Sequence, residues 1–163
     1  MSILRILRFA LLIIGLAGGC DAIAQTTYSS KAELEKAAND LFQKNEYSKA
    51  KSLFSQLLSM DALSPDFNYR FGVCIMYTES DPAKPLPYIE GGTNSQSVNP
   101  EAYYFLGLIY RYNYRFDQSA DAFAKAKAKG MNNPAIDLDR EVQISRKGRV
   151  LYNDSLIFVP AME

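Results

Sequence analysis

The chain has no histidine and no tryptophan, only two cysteines, and no surplus charge of either sign: 18 Lys+Arg stand against 18 Asp+Glu. Without histidine there is no His-based triad, no imidazole general base and no histidine metal ligand. Cys20 and Cys74 form neither a CxxC pair nor a disulfide framework, which removes thiol redox and cysteine–zinc chemistry. Cys74 sits alone in the apolar run FGVCIMY and reads as a buried, inert thiol. Neither G-x-x-x-x-G-K-[ST] nor G-x-G-x-x-G occurs, so the phosphate-cradling loops are missing as well. Asp137, Asp139 and Glu141 are spaced as the solvated face of a helix rather than as a catalytic pair. The balanced charge gives no electrostatic reason to expect nucleic acid or an anionic membrane as partner. No enzyme, metal site or cofactor is expected, and the partner that remains is another protein or peptide.

Long hydrophobic runs are scarce too. The one apolar stretch of note, Phe9 to Ala17, follows Arg5 and Arg8, is too short to span a bilayer comfortably, and ends in small residues. Residues 1–24 therefore read as a signal peptide with an A-x-A cleavage site at Ala22-Ile23-Ala24. Leu16-Ala17-Gly18-Gly19-Cys20 offers a second reading, a lipobox in which Cys20 is acylated. Either reading exports the protein, to the periplasm or the outer membrane, and membrane attachment is expected only through Cys20. Removing residues 1–24 takes away Arg5, Arg8 and Asp21, leaving 16 basic and 17 acidic residues.

What the chain does have is a period. PEAYYFLGLIYRYNYRFDQSADAFAKAKAKGMNNP, residues 100–134, reads as two amphipathic helices joined by a tight turn. Leu106-Gly107 in its first helix is matched by Phe71-Gly72 and by Ala37-Ala38 upstream, at spacings of 35 and 34. In the second helices Phe54, Ile89 and Phe123 keep the same spacings. Gly107 lets the neighbouring helix approach closely, Gly130 caps the second helix, and Pro134 opens the next one. Such a helical pair cannot bury its own apolar faces, so copies must stack. The expected fold is all-α: a right-handed solenoid of helical hairpins with three repeats (31–64, 65–99, 100–133), after a lead-in over 25–30. A capping helix over 134–152 closes the stack.

Local signals refine this. Ser30 and Glu33 form a capping box for the first helix. The second half of the middle repeat departs from its neighbours. Pro82, Pro85 and Pro87 and then Gly91-Gly92 predict a short helix from about Asp81 to Glu90, followed by a polar loop to Asn99. Leu138, Val142 and Leu151 line the final helix, Ala135 to Tyr152. DSLIFVPAME, within the 153–163 tail, has the look of an entering β-strand; either it packs on the stack or the chain is a piece of something longer. An uncovered first face leaves self-association open.

The concave side of such a stack is lined by the first helix of each repeat. Counted from Ala38, Gly72 and Gly107, its positions are Glu35, Asn39, Phe42 and Gln43; Tyr69, Val73, Met76 and Tyr77; and Tyr104, Leu108, Arg111 and Tyr112. Tyrosine, methionine and arginine favour interfaces because they combine apolar area with a polar handle. The alternative for each is packing against neighbouring helices.

This pattern resembles tetratricopeptide repeat proteins. FNYRFGVCIMY, the 100–123 segment and DLDREVQISRKGR are similar to the N-terminal module of exported envelope proteins in which three repeats precede a WD40-like propeller and an OmpA-like domain, some of them in type IX secretion and gliding. The resemblance implies an envelope adaptor or scaffold. Its other implication is a structural spacer, or a truncated fragment, with no ligand of its own. Some such repeats bind C-terminal carboxylates through groove lysine and asparagine; only Asn39 matches, with Glu35 and Tyr69 where lysine would stand.

Overall fold

A computed structural model describes residues 28–95 and 98–157, with side chains through 152. The signal segment, the cleavage site after Ala24 and Cys20 lie outside the described residues. Among those described there are seven helices and no strand: α1 (Lys31–Gln43), α2 (Tyr47–Met60), α3 (Pro65–Thr78), α4 (Leu86–Gly92), α5 (Pro100–Tyr112), α6 (Phe116–Ala128) and α7 (Leu138–Ile157). Consecutive helices pack as hairpins, and α7 closes against α6.

The periodic residues are what hold the hairpins together. Phe54, Ile89 and Phe123 are fully buried, each contributing about 1.5–3 kcal/mol of apolar burial. Gly107 lies under the ring of Phe123; a Cβ there would stand 2.6 Å from Cε1. Gly72 lies under Ile89 in the same way, with a Cβ 2.5 Å from Cγ1. Ala38 holds this place in the first repeat and is fully buried.

Three helices end in the same turn. Asn45, Tyr114 and Gly130 have φ of 59°, 59° and 82°. Each following amide reaches back over the last turn (Glu46 to Leu41, Arg115 to Tyr110, Met131 to Ala126), which satisfies carbonyls the helix leaves open. The middle repeat has no such turn: after α3, Glu79 is extended.

Five expectations need correction. The Ser30 hydroxyl accepts from the Glu33 amide, but Glu33 returns its bond to the Ser29 amide and hydroxyl rather than to Ser30. In α4, residues 82–85 form a turn and the helix starts only at Leu86, because Pro85 and Pro87 remove donors. Gly91 and Gly92 belong to the end of that helix instead of terminating it, since Gly92 must pass against the backbone of Tyr69. The last helix begins at Leu138, not Ala135, with Asp137 Oδ1 accepting from the Arg140 amide at 3.0 Å. It runs on to Ile157, through the start of the segment read as a β-strand; residues 158–163 lie outside the described residues.

Candidate functional site

The twelve residues read from the sequence as lining one groove separate into a floor and a surface. Phe42, Tyr69, Val73 and Leu108 are core, not ligand-facing. Phe42 meets Tyr47, Phe54 and Tyr69 edge to face at 5.5, 6.0 and 6.5 Å. Tyr69 is 1 % exposed; its hydroxyl accepts from Asn99 Nδ2 at 3.2 Å, and burial holds its acidity well below that of a free phenol. The Phe42–Tyr69 pair brings α3 onto α1, so apolar area there seals the stack.

Two arginines fasten neighbouring helices across the same face. Arg70 spans α3 to α1, its guanidinium over the rings of Phe42 and Tyr69 at 5.5 and 5.4 Å, with Nη1 donating to Asn39 Oδ1 at 2.8 Å. Its Nε lies 3.0 Å from Asp66 Oδ2 without hydrogen-bond geometry, so that pairing is Coulombic. Asn39 is therefore engaged within the fold. Arg111 spans α5 to α7, over Phe123 and 2.6 Å from Glu141.

The surface that remains open is tyrosine-lined. Tyr77 and Tyr112 are each 54 % exposed, and Met76 and Tyr104 are partly buried beside them. Tyr47 stacks on Tyr77 with ring centroids 4.4 Å apart and planes within 8°. Burial raises the Tyr77 and Tyr104 hydroxyl pKa values, and Tyr112 raises both further, which puts all three rings in one electrostatic neighbourhood. Sequence reasoning misses Tyr47 because it opens a second helix, and the groove positions are counted on first helices alone. Its signal is the aromatic directly after the Asn45-Glu46 turn.

Beside Tyr112 the face opens into a cleft of about 280 Å³ lined by Met76, Glu79, Asp81, Pro82, Ile109 and Tyr112 among others. That is below the roughly 300–1,000 Å³ of small-molecule sites and suits one side chain. Glu79 is committed to Lys84 at 2.8 Å and Lys51 at 3.1 Å, which hold its carboxyl below the usual range. Asn113 Nδ2 ties the far wall to α5 by donating to the Pro82 carbonyl at 2.7 Å.

Neither a protein-family model nor a curated protein sequence matches the chain. Solved structures do match in fold. The Sgt2 TPR domain from Aspergillus fumigatus superposes with a TM-score of 0.61 at 20% identity, over 81% of this chain and 86% of that one. The type III secretion chaperone SycD of Yersinia enterocolitica, in complex with a peptide of the translocator YopD, gives 0.59 at 15% identity over 79% and 98%. MamA gives 0.62 at 17% identity over 77% and 67%. The described helices thus have the right-handed tetratricopeptide-type fold, about three repeats and a capping helix.

Proposed function

We propose that this chain is a non-catalytic interaction module that holds an extended segment of another protein along its concave face. In this reading the protein is exported and acts as an adaptor of the bacterial cell envelope, in the periplasm or at the outer membrane, attached to a membrane only where Cys20 is lipidated. The observation that carries it is the pair of exposed tyrosines, Tyr77 and Tyr112, the second of which lines the open cleft. Large aromatic rings left half in water on a concave face are anchors awaiting apolar area. Two similar folds were solved with segments of other proteins, SycD with a peptide of the translocator YopD and PcrH with the chaperone-binding region of PopD.

The test is a pull-down from envelope extract with the wild-type chain and a Tyr77→Ala/Tyr112→Ala variant, read by mass spectrometry. A discrete protein should be captured by the first and lost with the second, while helicity and melting temperature stay within a few degrees. Identical lanes would reject the groove as the binding surface.

A further inference from the structure

Repeat arithmetic shows what the cleft lacks. Tyr47 and Phe116 are the first residues of α2 and α6. Their counterpart in the middle repeat is Pro82, at the same spacings of 35 and 34 that relate Phe54, Ile89 and Phe123. Both aromatics lie on the helix of the next repeat. Tyr47 stacks on Tyr77 of α3, and Phe116 packs on Gly148 and Tyr152 of α7, ring centroids 5.9 Å from the latter. Tyr112 is the counterpart of Tyr77, five residues after Gly107 as Tyr77 is after Gly72. Where Tyr77 has a ring stacked on it, Tyr112 faces the cleft, and Pro82 stands in the cleft wall.

Charge narrows the occupant. The lining contributes two carboxylates, Glu79 and Asp81, and no cation. Glu79 is paired with Lys51 and Lys84; Asp81 forms no ion pair among the described residues, its Oδ1 accepting from the Ala83 amide at 2.9 Å while its charge also acts on Lys84, whose ammonium is bonded to Glu79. A ligand ring in the slot would leave its neighbouring residue at the Asp81 carboxylate, where a positive charge is favoured.

We infer that the cleft between Pro82 and Tyr112 is a subsite for one aromatic side chain flanked by a basic residue, supplied by the bound segment to complete the stack that Pro82 leaves open. Met76 and Ile109 floor the slot, the Tyr112 ring is its stacking platform, and Asp81 meets the flanking cation. The inference rests on the groove reading of the proposed function, but its test is separate.

The full chain, labelled at its methionine methyls, is titrated with the peptide Gly-Ser-Lys-Phe-Lys-Ser-Gly and with its Phe→Ala counterpart. Ring-current shifts should move the Met76 methyl with the first peptide and not with the second, the exposed Met60 methyl serving as reference. Glutamate in place of both lysines should weaken the response about tenfold at low salt. Pro82→Phe, which supplies the ring internally, should abolish it; Tyr112→Ala, at an exposed position, gives the same test without altering the turn. A Met76 methyl that stays still, or moves equally with the alanine peptide, overturns the subsite whatever the pull-down finds. A pull-down with identical lanes rejects the groove reading whatever Met76 does.

Discussion

Tyr69 and Tyr77 are the same residue type, eight positions apart on one helix, and they have opposite fates. Tyr69 is sealed under Arg70 and hydrogen-bonded by Asn99; Tyr77 is half in water. Helical period places both on the concave side but carries no information about how far the next helix overlaps each one. This is why the spacing of these tyrosines was legible in the sequence and their division into a buried and an exposed one was not. A third tyrosine gives a pH prediction. Burial, then the hydrogen bond to Glu90 and that carboxylate's charge, push the Tyr110 hydroxyl up from 10.0 to about 12. The folded state holds this proton more tightly than the unfolded state, so the contribution is complete below pH 10 and is lost as pH rises toward 12. Alkaline unfolding followed by circular dichroism should therefore be less steep across that window in Tyr110→Phe than in the wild type. An unchanged slope would mean that Tyr110 titrates as a free phenol.

At the scale of the element, α4 separates what proline and glycine signal from what they do. The prolines correctly signal a shortened helix, but the glycines, which signal its end, lie within it. A glycine run looks the same in sequence whether it terminates a helix or lets another backbone come close. The two glycines give opposite predictions. A Cβ on Gly92 would collide with the Tyr69 backbone, so Gly92→Ala should cost at least about 3 kcal/mol or prevent folding. A Cβ on Gly91 would meet the Asn68 side chain at an ordinary 3.5 Å, so Gly91→Ala should be neutral or stabilise by about 0.5–1 kcal/mol through helix propensity. Urea midpoints of the two variants decide it; equal destabilisation would mean that the close packing of α4 on α3 is wrong.

Across the whole molecule, the stack was legible because its period is written twice, once in the small residues of the first helices and once in Phe54, Ile89 and Phe123. The extent of α7 was not, since its start is set by the Asp137 side chain and its face by contacts to α6. Those contacts include a buried polar seam. The Ser119 hydroxyl donates to the Gly107 carbonyl at 2.7 Å and lies 2.8 Å from the Ser145 hydroxyl, which in turn reaches the Glu141 carbonyl at 3.1 Å. Both serines are fully buried. A chain ended after Pro134 would uncover this seam, the apolar side of α6 and the Arg111 guanidinium. It should melt several degrees lower and elute from size exclusion as higher oligomers. A monomer with unchanged melting temperature would show α7 to be dispensable.

The same seam bears on what can be joined to this stack. A helix from a second copy, or a grafted consensus repeat, could take the place of α7 only by bringing a hydroxyl to Ser119. It would also have to offer a residue without Cβ to Phe116, as Gly148 does where a Cβ would stand 2.8 Å from the ring. The terminal joint is thus keyed: apolar surface alone does not fit it, and strand-exchange or repeat-extension schemes that preserve only hydrophobic pattern would leave Ser119 buried with one bond fewer.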